Sequence, residues 1–389
     1  MARRGKNEGT IYKRKNGTWR AQVSLGNKRI GYTANSRAEC HEWLRKMLDQ
    51  IDQGMSFESR NITFQDYLTD WINIKSKSLR AKTAFQYRQI IDKYIFPELS
   101  QIHLKDLNIR IINRFLNKLV NGGLGARQVR YIHSVMHSAL EAAVKNGALG
   151  KNPSHGAVIP KSLHKEMRVL SEQEVSQLLI AASSSRLKSL YQMAITTGMR
   201  QAELLGLRWE DVDWIKGTIT IKRQTQYVPH NSITFNEPKT RSGIRTIKLG
   251  ENTLIELRNQ RNRIETLRLG LGESWKDFDL VFPSTIGTPM HHGSLMKDFH
   301  RVLRKANLPK IRFHDLRHTA ASIMLNHNVP VLVVSKILGH ANPSITLNTY
   351  AHCFIDMQNQ AFSLMDEIVT PIPIDLPKEL KPATKSDNS

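Results

Sequence analysis

Apolar and polar residues follow each other in three different rhythms along the chain. Near the N-terminus the runs are short and strand-like: Thr10–Lys15, Thr18–Ser24 and Lys28–Thr33. Asn16-Gly17 and Gly26-Asn27 separate them, and such pairs favour the backbone angles of tight hairpin turns. Ser36-Arg37-Ala38-Glu39 has the spacing of a capping box, which predicts a helix with Ala38, Leu44, Met47, Leu48 and Ile51 on its apolar face. From Thr63 to about Lys151 the apolar period becomes helical. Phe64, Tyr67, Leu68 and Trp71 mark one helix, and Tyr87, Ile90, Ile91 and Tyr94 a second. Ile111, Ile112, Phe115, Leu116 and Leu119 mark a third, stopped by Gly122-Gly123; Val129, Ile132, Met136 and Ala139 mark a fourth, ending at Gly147. The third rhythm is mixed. It begins at Leu170-Ser171-Glu172-Gln173-Glu174, another helix start, and carries strand-like runs around Gly217–Lys222, Ser232–Asn236 and Arg245–Leu249 between helical stretches.

These patterns predict a multidomain α+β protein. A small three-stranded sheet plus helix comes first, then a helical bundle, then a mixed, mainly α domain with a small β-sheet. Residues 1–55, 62–152 and 166–370 are the expected domains. Linkers fall near Gln53–Asn61 and Lys151–Lys165, the second marked by Pro153, Gly156 and Pro160. Residues 371–389 are proline-containing and polar, and are expected to form a flexible tail.

Charge adds a partner. The 57 Lys and Arg against 34 Asp and Glu leave a formal net charge of +23 over 389 residues. The first 46 residues hold twelve Lys or Arg and three Glu. Such an excess attracts a polyanion, and nucleic acid is the first candidate. An acidic membrane is the rival, but no apolar run is long enough to span a bilayer and no secretory segment is visible. Cys40 and Cys353 are the only cysteines, and both read as free thiols in a reducing cytosol.

The chemistry lies in five clusters: Thr196-Thr-Gly-Met-Arg-Gln-Ala-Glu203, Glu237-Pro-Lys-Thr-Arg241, His314-Asp-Leu-Arg-His318, Leu338-Gly-His340 and Thr346-Leu-Asn-Thr-Tyr350. Cations gathered around one nucleophile suit attack on a phosphate, whose non-bridging oxygens gain charge in the transition state. The planar arginine fork can give two hydrogen bonds to one phosphate. Arg200 is projected after a buried helix ending near Gly198, and Glu203 can hold it across one helical turn. Lys239 sits between two strand-like runs, where a hairpin tip would carry it into a groove. His314 and Arg317 share a helix face. His340 follows a helix ending at glycine. The Tyr350 phenol is a weak nucleophile until cations stabilise its phenolate. His314 and His318 also imitate the His-Glu-x-x-His zinc spacing. The acid there is Asp315, Arg317 would set a cation beside the metal, and no third ligand follows, so His318 is expected to be satisfied by packing or backbone and no metal is expected.

In order and spacing, the five clusters resemble the tyrosine recombinases, the phage-integrase family. The resemblance implies that Arg200 and Arg317 clamp the scissile phosphate, with Glu203 as support. Lys239 would protonate the leaving 5′ oxygen, and His314 and His340 would complete the pocket. Tyr350 would be the nucleophile, forming a 3′-phosphotyrosine that a second 5′ hydroxyl reverses, so no cofactor is needed. The front domain resembles the arm-binding domains of phage and conjugative-element integrases, with Lys13, Arg14, Arg20, Lys28 and Arg29 toward DNA. The bundle resembles a core-binding SAM-like domain, with Arg80 and Lys82 on the duplex. Arg241 and Arg245 would touch DNA backbone from the catalytic hairpin. Implied partners are double-stranded attachment sites, three further copies in a homotetramer, an excisionase and a host DNA-bending protein. The implied setting is the cytoplasm of a bacterial host, at the nucleoid. A type IB topoisomerase sharing the chemistry, and a DNA-binding regulator with a dead site, remain open at this point.

Overall fold

The computed structural model describes residues 9–25, 28–52, 62–161, 167–227, 233–238, 240–350, 362–363 and 365–369. The chain forms two compact units, residues 1–164 and 165–389.

The first unit opens with an antiparallel sheet, β1 (Thr10–Lys13), β2 (Trp19–Leu25) and β3 (Lys28–Ala34), with β2 in the middle. Asn16-Gly17 makes the first turn as expected; the second predicted turn, Gly26-Asn27, lies outside the described residues. Alternation decides the faces. Ala21 and Val23 are buried and pack with Cys40, Leu44 and Met47 of α1 (Arg37–Asp52). Ser36 accepts the Glu39 amide at 3.2 Å and donates to its carboxylate at 2.7 Å, which fixes the start of α1. Arg20 and Gln22 of β2 share the opposite face with Tyr12 and Thr10 of β1 and Thr33 and Gly31 of β3, their register partners.

The rest of the unit is helical: α2 (Phe64–Ser76), α3 (Ala81–Ile90), α4 (Phe96–Leu99), α5 (Ile109–Asn121) and α6 (Ala126–Lys145). Thr63 and Asn108 cap α2 and α5 by accepting backbone N–H groups of the first turn. Phe64, Leu68, Ile112, Leu116, Ile132 and Met136 are fully enclosed in one core. The second predicted helix is longer than its apolar marks suggest, because a π-turn over Ile91–Ile95 joins α3 to α4. Pro97 supplies the reason: its ring and missing N–H prevent a regular turn here, and the wider π-turn makes room.

The second unit begins where Ser171 and Glu174 form the expected capping box of α7 (Glu172–Ala181). Then come α8 (Lys188–Thr197), α9 (Gln201–Leu204), β4 (Val212–Asp213), β5 (Thr218–Ile221), β6 (Gln224–Gln226), β7 (Thr234–Asn236) and β8 (Arg245–Lys248). They are followed by α10 (Glu251–Leu271), α11 (His292–Lys305), α12 (Asp315–Asn326), α13 (Val331–Leu338) and α14 (Pro343–Thr349). The small sheet runs β4-β5-β8, while β6 and β7 pair as a separate ribbon. Both β4, with two residues, and β6, Gln-Thr-Gln, lack the apolar alternation that announces a strand. Tyr191, Phe299 and Phe313 pack ring against ring at the centre of the core. Among the described residues no helix is long and apolar enough to cross a membrane.

Because Phe299 is completely buried and Phe278 is 40 % exposed, the two rings give a paired test of this core. Phe299→Ala should cost roughly 3–5 kcal/mol in urea unfolding of the second unit. Phe278→Ala should cost well under half of that.

Candidate active site

Glycine places the first element of the site. Gly198 caps α8 with φ +60°, and a Cβ there would stand 2.6 Å from the Leu338 side chain. This left-handed turn lets the chain reverse and set Arg200 at the N-cap of α9. Glu203, 1 % exposed, accepts from the Arg200 backbone N–H at 2.9 Å and from its Nη1 at 2.8 Å. The expected Arg200–Glu203 support is therefore present, with the acid buried and the arginine side chain still 37 % exposed.

Glu203 also binds a second arginine. Arg245 Nη2 donates to it at 2.9 Å and Nη1 at 3.3 Å, while Nε donates to the Ile337 carbonyl at 2.6 Å. The Arg245 side chain is 7 % exposed. This corrects the expectation that Arg245 touches DNA backbone: β8 turns it inward, and its donors are occupied by protein. Burial alone would raise the Glu203 carboxyl, but the Arg245 hydrogen bonds and charge, then Arg200, outweigh it and hold the acid below the ordinary carboxylate range.

Arg317 approaches from α12, almost fully buried. Its Nη1 donates to the Gly198 carbonyl at 2.8 Å and its Nη2 to the Leu338 carbonyl at 2.7 Å. Both carbonyls lie at helix C-termini, where the backbone dipole favours a cation. Burial first, then the Arg200 charge, presses its pKa down to about 9, which leaves it protonated at neutral pH. His314 stands one turn earlier, at the N-cap of α12. Asp315 turns away to Arg312, whose Nη2 donates to it at 2.6 Å.

Gly339 ends α13 with φ +68°, and a Cβ there would fall 2.7 Å from the Ser242 carbonyl oxygen and 2.9 Å from Arg245 Nη1. A bare backbone lets α13 press against the Glu203–Arg245 pair and delivers His340 to the site. His340 Nδ1 lies 2.8 Å from Thr346 Oγ1. Tyr350 follows α14 and is 1 % exposed, its ring packed with Ala321, Leu325, Val334 and Leu338. Its hydroxyl is 2.8 Å from His318 Nδ1. This contact was missed in the sequence, where His318 is one helix residue among many; only its place one turn after His314 hinted at the site.

Arg200, Glu203, His314, Arg317, His318, His340 and Tyr350 line one cavity of about 530 Å³, together with Pro238 and Thr240. Lys239 lies outside the described residues, as does the Arg241 side chain. Burial first, then Arg317 and Arg200, lowers the His314 pKa, and His340 falls for the same reasons to about 4. His318 also falls to about 4, through burial and then His314. The cavity thus combines permanent arginine cations with neutral imidazoles. That set can bind a tetrahedral anion and hydrogen-bond its oxygens beside a phenol.

The sequence pattern of the phage integrase family matches residues 168–356, and that of the phage integrase N-terminal SAM-like domain matches residues 63–120. The chain belongs to the phage integrase family, the tyrosine recombinases. Two relatives are similar over most of their length. One is a tyrosine recombinase XerC-like protein of Caldanaerobacter subterraneus subsp. tengcongensis, 28 % identical over 90 % of this chain and 96 % of that one. The other is the ICEBs1 integrase of Bacillus subtilis, 22 % identical over 92 % and 100 %. In fold, this recombinase is similar to the Tn1549 transposon integrase solved with circular intermediate DNA, with a TM-score of 0.67 and 20 % identity over 78 % of this chain and 100 % of that one. It is also similar to the lambda integrase of a tetramer bound to a Holliday junction, with a TM-score of 0.56 and 19 % identity over 89 % and 96 %. Relatives of this kind do not favour the topoisomerase or the inactive regulator.

Two tests follow from the geometry. Arg245→Ala strands Glu203 with one partner and should destabilise the second unit by roughly 3–5 kcal/mol in urea unfolding. A change near zero would return Arg245 to the surface role first expected of it. The histidines set a pH dependence. His318 and His340 titrate near 4 when folded, against an ordinary 6.5. The unfolded chain therefore takes up protons first as the pH drops. Their contribution is complete above about pH 6.5 and is lost as the pH falls toward 4. Urea midpoints measured between about pH 7 and 5 should fall less steeply in His318→Gln and His340→Gln than in the parent chain.

Proposed function

We propose that this recombinase integrates and excises a phage or mobile element at specific DNA sites, with Tyr350 as the nucleophile. The observation that carries the reading is the shared cavity: within one chain, Tyr350 lines the same space as Arg200, His314, Arg317 and His340. The Tyr350 oxygen attacks the scissile phosphorus, the 5′ oxygen leaves, and a 3′-phosphotyrosine forms. Arg200 and Arg317 hold the non-bridging oxygens through the transition state, and His314 and His340 add hydrogen bonds. The phosphate's charge offsets the arginines that keep these imidazoles neutral. His318, neutral at pH 7, accepts the Tyr350 proton's hydrogen bond and aims the phenol. Lys239, between cavity-lining Pro238 and Thr240, is assigned to protonate the leaving 5′ oxygen, its pKa lowered by the surrounding positive charge. The bond energy stays in the covalent link, and a 5′ hydroxyl from the partner duplex reverses the step.

The DNA path is read from surface charge. Arg20 and Arg29 belong to the sheet face turned away from α1, with Lys13 and Arg14 at the exposed β1 end, and this face enters the major groove of an arm-type site. Lys28, whose side chain lies outside the described residues, belongs to the same group. Exposed Arg80 and Lys82 at the start of α3 grip the core site together with Arg241. Residues 1–55, 62–152 and 166–370 act as arm-binding, core-binding and catalytic domains. Four copies assemble on two sites. Exposed Phe362, Met365, Ile368 and Val369, beyond the nucleophile, supply an apolar surface for a neighbouring copy. An excisionase and a host DNA-bending protein set direction, and the work is done in the cytoplasm of a bacterial cell.

A nicked duplex bearing the attachment sequence from DNA beside the gene tests the chemistry. The parent chain should form a covalent protein–DNA adduct. Tyr350→Phe should form none while binding the duplex as tightly, and Arg317→Ala should slow adduct formation by roughly 100-fold or more. An adduct that persists in Tyr350→Phe would remove the nucleophile from Tyr350.

A further inference from the structure

A second cluster of metal-capable side chains stands in the first unit, apart from the recombination chemistry. His133, His137 and Glu141 follow one another at i,i+4 on α6, so they form one stripe of the helix. The chain then turns back and lays Asn152–His155 against that stripe. One ring nitrogen each of His137 and His155 and a Glu141 carboxylate oxygen lie within 4.8 Å of one another. Glu141 Oε1 is 2.8 Å from His155 Nε2 and 3.8 Å from His137 Nε2. Donors bound tetrahedrally at about 2.0–2.2 Å from a zinc ion stand roughly 3.3–3.6 Å apart, between those two distances.

The surrounding hydrogen bonds hold the ligands in position. Ser154 Oγ donates to Asn152 Oδ1 at 2.6 Å and lies 2.7 Å from His137 Nδ1, which Asn152 Nδ2 also approaches at 3.3 Å. These contacts engage Nδ1 and leave the other ring nitrogen, Nε2, on the side of Glu141, 3.8 Å from its carboxylate. The two protons of Asn152 Nδ2 go to Glu141 Oε1 at 2.8 Å and to the His137 carbonyl at 3.2 Å. Asn152 and Ser154 are 4 % and 2 % exposed, so this supporting layer is built into the protein.

We propose that His137, Glu141 and His155 bind one divalent transition-metal ion of the zinc class, with water as fourth ligand. Two imidazoles and one carboxylate suit Zn²⁺ or Co²⁺, whereas Ca²⁺ and Mg²⁺ prefer oxygen donors alone. His155 ligates through Nε2 with its proton moved to Nδ1, and any imidazolium at the site releases one proton to solvent on binding. The ion staples the Asn152–His155 turn to α6 and so fixes the chain just before it leaves the first unit. No short motif flags this site, because His155 lies 14 residues beyond Glu141 in a turn.

The test uses the full chain, stripped by chelator and dialysed, with Zn²⁺ alone in calorimetry and Co²⁺ as the optical reporter. The parent should take up one equivalent at this site and show the visible bands of tetrahedral Co²⁺. His155→Ala and His137→Ala should each lose that equivalent, and Ser154→Ala should weaken it by roughly tenfold or more through loss of ring orientation. His318→Ala should keep it, which separates this site from the histidines of the cavity. His155 is exposed, so its variant is expected to fold, and an unchanged circular dichroism spectrum checks that. No uptake by the parent, or an equivalent that survives His155→Ala in the folded chain, overturns the proposal.

Discussion

Glu203 is the charge on which the active site depends. Three guanidinium groups, Arg200, Arg245 and Arg317, converge on one region, and each costs several kcal/mol of solvation when taken from water unless something replaces it. Glu203 answers two of them directly. Arg317 is answered by the carbonyl ends of two helices, which carry partial charge and cannot be titrated away. The result is a rigid cavity that remains positive overall. That uncompensated positive charge suits an anion such as a phosphate.

The same logic explains why the imidazoles are neutral. Burial first, then the charges of Arg317 and Arg200, makes a further positive charge unfavourable and lowers the pKa of both His314 and His340. Were they charged, the pocket would repel itself and loosen α13 and α14, which carry His340 and Tyr350. Neutral rings can still give and accept hydrogen bonds, and they become better proton carriers once an anion is present. His318 makes this concrete, since its unprotonated ring can accept the phenol hydrogen of Tyr350.

Backbone freedom at two positions makes the arrangement possible. Gly198 and Gly339 both adopt left-handed conformations, and a side chain at either would meet packed atoms at less than 3 Å. They bring the ends of α8 and α13 together around Arg317. Each carbonyl that receives Arg317 sits at or beside one of these glycines. The turns therefore help to fix the Arg317 guanidinium in place.

Local sequence determined much of this protein. Short range interactions act between residues a few positions apart, so the Ser36 and Ser171 helix starts, the Asn16-Gly17 turn and the apolar faces of the bundle could all be read directly. The five clusters were legible too, because Arg200 to Glu203 and His314 to Arg317 are each spaced to meet within one helical turn. What the tertiary structure alone decided was pairing across long separations. Arg245 lies 42 residues from Glu203, His318 lies 32 from Tyr350, and no spacing rule connects them. A side chain's direction depends on which element packs over it. That is why Arg245 read as a surface cation and proved to be a buried one, and why His318 read as an ordinary helix residue and proved to lie 2.8 Å from the Tyr350 hydroxyl.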